Sequence, residues 1–546
     1  MQWILYWLVP QILLGVFAWK FYVAAGRKSW EAFVPAYNVF ILLKIIERPW
    51  WWFFLLITPV VGNIMAMVMV YELFHVFGHS KLKHTFFTII TLGLYLAYFN
   101  YTEKLTYKGR DIKTIRQHVS EFGAAILFAI VAATLIRALT FEAFTIPTPS
   151  MEKSLMVGDF LFVSKMQYGS RPPMTPLSLP LVHNRVPVLN VKSYSDAIQL
   201  PYWRFPKISE VQPNDPVVFN YPMEDQHPVD KREHYVKRCM AVPGDTLQII
   251  DRQVYIDGEP LAFPDRARPQ FQYIIQSKQA LSPDFLKKNY DVNYLFGEDL
   301  LNPNNVQDVQ GGGSVQTGFA YKITLAEDKV EDLQKLPFIK SVEPLNYKTK
   351  FSDYSEDLSP VLRQFYIDNS KIFESSDVFP NSPHGELVVQ WTRDNYGPIY
   401  MPKAGDKVTL NKLNLALYRR AIEIYEGNTL EIRENDGIYI NGEKTDTYTF
   451  KQGYYWMMGD NRHNSLDSRY WGYVPEDHIV GKPVFIWMSF DKYAEGLFNK
   501  IRTNRVFTLV NGEGERKSFF WPFAILVAAY MIGRNLMKKR KAKKAA

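Results

Sequence analysis

The sequence contains very little cysteine, since Cys239 is the only one among its 546 residues. A single thiol excludes an intramolecular disulfide. We interpret Cys239 as a small buried core residue, with a redox-sensitive thiol as the alternative. Motifs of zinc proteases, phosphate-binding loops and dinucleotide-binding folds are also lacking. His75 and His79 have a helical spacing that metals favour, but no set of carboxylates accompanies them, so we expect neither a metal nor another cofactor.

Apolar and basic residues, by contrast, are abundant and unevenly distributed. Hydrophobic residues make up 47% and aromatic residues 15% of the chain, enough for buried cores and for membrane spans. Much of the net charge of +8 lies in one tail, because six of the seven residues 538–544 are Lys or Arg. Such a run suits a nucleic acid, solvent or a membrane surface. The apolar stretch directly before it favours the membrane surface, and no nucleic-acid partner is expected.

Long apolar runs predict a membrane protein, because a spanning helix needs about 20 mostly apolar residues. The first run is not a cleavable signal peptide, since it lacks a basic start and a small-residue cleavage site. Residues 31–46 are apolar but shorter, and are expected to lie at the membrane interface. The predicted spans are residues 3–24, 51–74, 85–100, 122–144 and 519–537, of which 85–100 is marginal in length.

Positive charge predicts the orientation of these spans, because Lys and Arg accumulate on the cytoplasmic side. Residues 145–517 are therefore expected outside, and the 538–544 tail inside. Five spans with an external N-terminus satisfy this rule. The charges that carry the prediction are Arg27, Lys28, Lys44 and Arg48 after the first span, and Lys104, Lys108, Arg110, Lys113 and Arg116 before the fourth.

The external segment is expected to be mainly β. Alternating runs such as Val217-Val-Phe-Asn-Tyr221 and Thr246-Leu-Gln-Ile-Ile250 are bounded by Gly, Asp, Asn and Pro. Residues 245–259 and 428–443 resemble each other, each with an Asp-Gly or Asn-Gly turn that predicts a hairpin. Residues 261–395 differ in character: Gly311-Gly-Gly-Ser314 predicts a flexible break, and the residues after it predict a small α+β insertion.

Three segments carry residues that could perform chemistry, although each alone is a weak signal. Ser150 follows Pro147 and Pro149, which prevent a helix from continuing, but a serine after proline is usually a turn residue. Lys237 lies among apolar residues, and burial would lower the pKa of its ammonium, so that the neutral amine could take a proton from a serine. The loop at residues 458–469 is rich in Gly, Asp, Asn and Ser, which by itself predicts only a tight turn.

Together and in this order, the three segments resemble the motifs of bacterial type I signal peptidases. The matching residues are Ser150-Met151, then Lys237-Arg238 with Pro243-Gly-Asp245, and Gly459-Asp-Asn461 with Ser465, Asp467, Ser468 and Arg469; Asn214-Asp-Pro-Val-Val-Phe219 matches an intervening motif. The resemblance covers roughly residues 122–260 and 400–490. It implies a mainly β catalytic domain of the signal-peptidase type, with an α+β insertion, anchored by several transmembrane helices.

The resemblance also implies a role for each matching residue. Ser150 matches the acylated nucleophile and Lys237 the general base. Thr148 and the Ser150 amide match the oxyanion hole. Ser465 matches the residue that orients the lysine, with Asp467 and Arg469 in support. Candidate walls of shallow substrate pockets are Ile146, Met151, Leu155, Tyr235 and Val236.

The chain departs from the family pattern at a few positions. Pro149 stands where glycine is common, and Thr148 replaces a serine but keeps the hydroxyl. His463 stands where an acidic residue is often found, and we interpret it as a loop residue and not as the base. The predicted domains are a multi-span region at 1–103, an anchor at 119–144, a catalytic domain at 145–260 and 396–515, an insertion at 261–395, a last helix at 518–537 and a basic tail at 538–546.

The implied function is removal of signal peptides from exported preproteins, by cutting after small residues at positions −1 and −3. The expected partners are signal peptides, the lipid bilayer and the secretion translocon, with the catalytic domain on the periplasmic side of the bacterial inner membrane. Two alternatives stay open: a self-cleaving repressor-type serine–lysine hydrolase, and a non-enzymatic member whose insertion binds envelope proteins. The multi-span anchor argues against the first, and intact Ser150, Lys237 and Ser465 argue against the second.

Overall fold

The chain forms two compact units in the computed structural model. The helical unit comprises Met1–Glu142, Gly169–Lys207 and Gln226–Glu233, and the β unit comprises Ala143–Tyr168, Ile208–Asp225 and His234–Ala546. The structure describes residues 2–111, 121–293, 306–315, 318–347, 377–381, 389–433, 436–494 and 499–545, with the single positions 361, 363 and 496.

The part of the helical unit that the structure describes contains seven α-helices. Aromatic side chains fill its core, where Phe21 lies edge-on against Phe77, and Phe74 against Phe99. The helices are α1 (Gln2–Ala24), α2 (Tyr37–Ile45), α3 (Trp52–Ile57), α4 (Val61–Val76), α5 (Leu82–Ile90), α6 (Leu94–Thr102) and α7 (Glu121–Leu139).

Of the five predicted spans, the one at residues 51–74 is wrong, and the one at 85–100 is met only by a bent pair of helices. By length and composition, three described helices could cross a membrane, at Tyr6–Ala24, Phe122–Leu139 and Phe520–Met537. The 51–74 run is divided between α3 and α4 because Pro59 cannot continue a helix and holds the preceding residue extended. The 85–100 run bends by 118° between α5 and α6, where Gly93 adopts a left-handed conformation, so this pair is at most one broken span.

The β unit is organised around an eight-stranded sheet. Its strands follow the order β1-β2-β20-β3-β4-β18-β19, with β21 paired to β20. Their bounds are β1 (Phe141–Thr145), β2 (Asp159–Ser164), β3 (Pro216–Asn220), β4 (His234–Ala241), β18 (Tyr454–Met458), β19 (Val474–Pro475), β20 (Ile479–Ser489) and β21 (Thr508–Leu509). The mainly β fold with an α+β insertion and apolar anchoring helices is therefore confirmed.

The two similar sequence stretches form hairpins, as predicted, but in different sheets. In the first hairpin, Asp257 and Gly258 both have positive φ angles, which is the conformation that an Asp-Gly turn adopts readily. The strands are β5 (Thr246–Ile250), β6 (Gln253–Ile256), β7 (Glu259–Pro260) and β12 (Tyr396–Tyr400) in one sheet; β14 (Leu430–Arg433), β15 (Gly437–Ile440) and β16 (Glu443–Lys444) in another; and β13 (Lys407–Thr409) with β17 (Thr447–Thr449) in a third.

The insertion forms its own four-stranded antiparallel sheet in the order β11-β8-β10-β9, accompanied by two helices among its described residues. The predicted flexible break at residues 311–314 is wrong, because these residues lie within β9 and pair with β10. Glycine is needed there, since a Cβ atom on Gly312 would lie 2.3 Å from the Tyr321 ring. The elements are β8 (Gln270–Ser277), α8 (Pro283–Tyr290), β9 (Val309–Val315), β10 (Gly318–Ala326), α9 (Val330–Gln334) and β11 (Ile339–Pro344).

The described residues of the β unit also form the helices α10 (Lys412–Arg420), α11 (Ser468–Trp471) and α12 (Phe520–Ala545). Cys239 lies on β4 and is fully buried with a free thiol, which confirms its interpretation as a core residue. The predicted charges at Lys113 and Arg116 lie outside the described residues.

Candidate active site

Ser150 lies in a single 3-10 turn, Pro149–Met151, that follows strand β1. Pro149 occupies the first position of this turn, where its fixed φ angle fits and its missing N–H is not needed. The turn is held from the other side by Asn461, whose backbone N–H donates to the Ser150 carbonyl at 3.0 Å and whose side-chain amide donates to the Pro149 carbonyl at 3.2 Å. The serine hydroxyl is thereby presented from a rigid backbone.

Lys237 lies on β4 and reaches this serine. Its Nζ is 2.5 Å from Ser150 Oγ, and its side chain is almost fully buried, with 3% of the residue exposed. The same Nζ lies 5.7 Å from the centre of the Tyr235 ring. The structure thus brings together the two residues on which the sequence analysis placed the chemistry, 87 positions apart in the chain.

Burial changes the acidity of this lysine. It lowers the pKa of the Lys237 ammonium to about 8, against smaller opposing contributions from Asp467 and Asp460. Removing a charge-stabilising solvent shell favours the neutral amine. A lysine with this pKa can be neutral and accept a proton from a hydroxyl near neutral pH, which an exposed lysine cannot do.

This pKa predicts how activity depends on pH. If the neutral amine of Lys237 is the base, kcat/KM should rise about tenfold per pH unit below a midpoint near 8 and level off above it. The measurement is the initial rate of peptide cleavage at low substrate concentration across this range. A profile that is flat, or that falls as the pH rises toward 8, would contradict the assignment.

Asp467 and Arg469 form a buried ion pair that fixes the loop at residues 459–469. Arg469 Nη2 donates to Asp467 Oδ2 at 2.8 Å and Nε to Oδ1 at 2.9 Å, and both residues are at most 1% exposed. Asp467 also accepts a hydrogen bond from the backbone N–H of Gly459 at 3.0 Å. Burial opposes the charge on Asp467, but Arg469 outweighs it and holds the pKa of the carboxyl below its usual range.

A second buried ion pair was not assigned a role from the sequence. Arg238, next to the lysine, donates from Nε and Nη2 to the two carboxylate oxygens of Asp460, at 2.7 and 2.5 Å. The pair ties β4 directly to the 459–469 loop. The sequence carried one signal of this pair, because Arg238 and Asp460 have opposite charges and each lies in a motif that resembles the family pattern.

Ser465 and Thr148 lie near the site, and Ser465 does not make the contact expected of it. Ser465 is buried close to Gly459, where a Cβ atom would come within 2.2 Å of its hydroxyl and 2.6 Å of the Ser150 carbonyl. Its Oγ has no hydrogen-bond partner among the described residues, so the expected bond to Lys237 is not formed. Thr148 is exposed, and its side chain does not cap the turn that it precedes.

His463 is bound by residues of the insertion, in agreement with its interpretation as a loop residue. Its Nδ1 accepts a hydrogen bond from the backbone N–H of Gln272 at 3.1 Å, and its Nε2 lies 2.9 Å from Asp394 Oδ1. Burial lowers the pKa of His463 to about 4, although Asp394 opposes this change. Both ring nitrogens are therefore engaged by the insertion, and neither is available to Ser150.

The candidate pocket walls divide between two clusters. Ile146, Met151 and Leu155 are buried in one cluster, with Val236 packed against it. Tyr235 packs in another cluster and stacks on Tyr221, with ring centres 4.4 Å apart. Four of the five candidates are thus close together, and their contact with substrate stays a prediction.

A serine hydroxyl in contact with a buried lysine amine, carried by a mainly β domain, defines a class of hydrolase that works without histidine. The comparison with known families agrees with this class. The model of the family described as "Signal peptidase, peptidase S26" matches residues 119–324 and 401–488, more than half of the chain. The chain belongs to this family and is a serine peptidase that removes signal peptides.

Individual relatives of this family can be aligned with most of the chain. The chain is 26% identical to "Signal peptidase I" of Buchnera aphidicola subsp. Acyrthosiphon pisum over 379 residues, which cover 69% of this chain and 77% of that protein. It is 24% identical to "Signal peptidase I" of Haemophilus influenzae, over 72% and 76% of the two chains. Residues 30–110 match a separate family of unknown function, DUF5684.

Proposed function

We propose that the protein cleaves signal peptides with Ser150 as nucleophile and Lys237 as general base. The observation that carries this proposal is the 2.5 Å separation of Ser150 Oγ and Lys237 Nζ at a lysine that burial brings to a pKa of about 8. A general base must lie within hydrogen-bond reach of the proton that it removes and must be neutral when it does so. Lys237 meets both conditions.

The reaction proceeds through an acyl-enzyme. Ser150 Oγ attacks the carbonyl carbon of the scissile bond while Lys237 takes the hydroxyl proton. The oxyanion is stabilised by the Ser150 amide and by the hydroxyl of Thr148, which no helix-capping bond occupies. Lys237 then gives its proton to the leaving amine, the mature protein departs, and water activated by the same lysine releases the signal peptide.

Asp467, Arg469 and Ser465 support this chemistry without taking part in it. The ion pair of Asp467 and Arg469 holds the loop beside the dyad, and Gly459 in that loop packs against both Ser465 and the Ser150 carbonyl. The Ser465 Oγ is buried and has no hydrogen-bond partner among the described residues, so a bond to the Lys237 amine during turnover requires a change of rotamer in one of the two side chains. We assign Ser465 to orientation of the Lys237 amine.

The specificity is for small residues at positions −1 and −3. Ile146, Met151, Leu155, Tyr235 and Val236 wall shallow apolar sites for these side chains, and their bulk near the dyad leaves little room for large ones. The catalytic part comprises residues 145–260 and 396–515, with 261–395 as an insertion. It lies on the periplasmic side of the inner membrane, and the translocon delivers its substrates.

The membrane anchor raises the rate by confining enzyme and substrate to one surface, which increases their effective concentration. The spans Tyr6–Ala24, Phe122–Leu139 and Phe520–Met537 provide the anchor. The basic residues before the second of these spans and after the third place both of those ends in the cytoplasm.

Cleavage of a defined preprotein tests this function. Purified full-length protein is incubated with a preprotein that has alanine at −1 and −3, and both products are weighed by mass spectrometry. A single cut after the −1 alanine is expected, and phenylalanine at −1 should block it. Cleavage at other positions, or equal cleavage of the phenylalanine substrate, would refute the proposed specificity.

A further inference from the structure

An exposed apolar hairpin lies in the helical unit, outside the residues assigned to the proposed peptidase reaction. We call residues 176–194 the apolar hairpin; its two arms are bridged at Ser178 with Tyr194 and at Arg185 with Lys192. Val188 at the tip is fully exposed, Leu189 is 70% exposed and Val191 is 53% exposed. Such a contiguous apolar tip on a surface loop indicates contact with another apolar phase.

The base of the apolar hairpin is attached to the end of a candidate membrane span. Arg137, in the last turn of α7, donates from Nη1 to the Leu181 carbonyl at 2.6 Å. The side-chain amide of Asn63, on α4, donates to the Pro176 carbonyl at 2.9 Å. Because the candidate Phe122–Leu139 span ends here, the base of the hairpin would lie at the membrane–water interface when this helix crosses a bilayer.

The charges of the apolar hairpin fit an anionic surface. Residues 176–194 include Arg185 and Lys192 but no Asp or Glu, and Lys192 lies 3.4 Å from Asp196 in an exposed pair just beyond the hairpin, which a lipid phosphate would have to replace. The two basic side chains are exposed and lie a few residues from the apolar tip. Apolar side chains flanked by cations are the composition of segments that enter the lipid interface.

We propose that the apolar hairpin inserts its tip into an anionic lipid surface, as a contact separate from the helices that span the membrane. This inference rests on the proposed membrane anchoring. Val188 and Leu189 enter the acyl region, while Arg185 and Lys192 bind lipid phosphates. The hairpin would thereby fix the height of the helical unit against the bilayer.

A fluorescent probe at the tip tests this proposal. The full-length protein carrying Cys239→Ala and Val188→Cys is labelled with an environment-sensitive dye and placed in phosphatidylcholine–phosphatidylglycerol vesicles, with Glu259→Cys as the exposed control. Brominated lipids are expected to quench the dye at position 188 several-fold more than at position 259. Exchange of both Arg185 and Lys192 for glutamate should weaken the quenching.

Two results would overturn the insertion. A dye at position 188 that is no better quenched than the control lies in water, and a dye that is shielded but unquenched is covered by protein, such as a second copy of the chain. Co-flotation with the vesicles and preprotein cleavage are measured on the same samples. Loss of anchoring or of the peptidase activity is therefore seen separately from failure of the hairpin to insert.

A different observation concerns the insertion, whose first strand reaches the candidate active site. Gln270, at the start of β8 and fully buried, donates from its backbone N–H to the Asp460 carbonyl at 2.8 Å. Its carbonyl accepts from the Arg462 N–H at 3.0 Å, and its side-chain amide donates to the Glu152 carbonyl at 2.6 Å. One residue of the insertion therefore holds both the segment after Ser150 and the 459–469 loop.

We infer that Gln270 is a positioning residue that sets the approach of Ser150 to Lys237. Ser150 and Glu152 are two residues apart, and Asn461, which binds the Ser150 carbonyl, lies between the two loop residues that Gln270 engages. The contacts of His463 with Gln272 and Asp394 hold the same loop a second time. The insertion thus contributes to catalysis without touching substrate, an inference that rests on the proposed dyad.

Replacing Gln270 by methionine tests this role, because the shape is nearly kept and the donor to Glu152 is lost. We expect kcat to fall about tenfold, KM to change little and the midpoint of the pH profile to move. Gln276→Met is the matched control, since Gln276 lies on the same strand and bonds to Glu343 within the insertion. This control should keep both the rate and the pH midpoint.

Thermal unfolding of each variant separates positioning from folding. If Gln270→Met does not fold, Asp394→Asn serves instead, and a smaller fall in kcat with the same unchanged KM is expected. A folded Gln270→Met protein with the wild-type kcat and pH midpoint would overturn the inference. The proposed dyad would be refuted by a different result, namely peptidase activity that persists when Lys237 is replaced.

Discussion

Replacing Lys237 by methionine is expected to abolish preprotein cleavage and to stabilise the fold at the same time. A general base contributes typically 10²–10⁴-fold, and here it also activates the nucleophile, so we expect kcat/KM to fall by a factor of about 10⁴ or more. Methionine fills nearly the same volume without an amine that burial disfavours. Preprotein cleavage and thermal unfolding of the same sample are the two measurements.

A second buried lysine supplies the matched control. Lys231 lies in the helical unit with 7% of its surface exposed, and burial also lowers the pKa of its ammonium. Lys231→Met should therefore change stability in a similar way and leave kcat/KM near its wild-type value. If Lys237→Met kept measurable cleavage, or if Lys231→Met lost it, the dyad assignment would have to be abandoned.

The residues of the dyad could be predicted from the sequence, but their environment could not. Ser150 and Lys237 were found because they lie in matching motifs in the right order. A strand pattern does not reveal which side chains face a core, and the 3% exposure of Lys237 depends on elements from both ends of the β unit. The lowered pKa on which the proposed role of the lysine depends is thus a property of the folded chain alone.

The contacts of the insertion could not be predicted from the sequence either, because they join residues that lie far apart in the chain. His463 could be judged an unsuitable base, yet nothing indicated that it binds Gln272 and Asp394, which lie 191 and 69 positions away. Residues 311–314 predicted a flexible break because four small residues usually form one. The Tyr321 ring instead occupies the space that a side chain at Gly312 would fill, and backbone pairing with β10 keeps the segment extended.

The apolar runs at residues 51–74 and 85–100 show that hydropathy alone is not sufficient to predict a continuous membrane-spanning helix. Residues 51–74 and 85–100 are apolar enough to read as spans, but the positions of Pro59 and Gly93 decide the outcome. Proline ends one helix, and glycine at a positive φ angle turns another by 118°. The average hydropathy of a window does not register such single residues. The extent of each apolar run could therefore be predicted from the sequence, but not whether the run forms one continuous helix.

Replacing Asp467 by asparagine should have the largest effect on stability. The change leaves the Arg469 guanidinium buried without its partner, since both side chains are at most 1% exposed. Removing one member of a buried ion pair costs about 3–5 kcal/mol, whereas Glu431→Gln, in the exposed pair with Arg433, should cost less than about 1 kcal/mol. Denaturant unfolding of both variants measures the difference.

The same substitution should also move the pH profile of the activity that remains. Asp467 raises the pKa of Lys237, so its neutralisation should shift the midpoint below about 8 and make the enzyme relatively more active at lower pH. The stabilisation from Asp467 is present above the unfolded-state pKa of about 3.9 and is lost as the pH falls through the lower folded-state pKa. The difference in unfolding free energy between wild type and variant should therefore narrow in acid. A difference that widens there would contradict the stabilising role of the Asp467 carboxylate, and a pH midpoint that moves upward would contradict its effect on the pKa of Lys237.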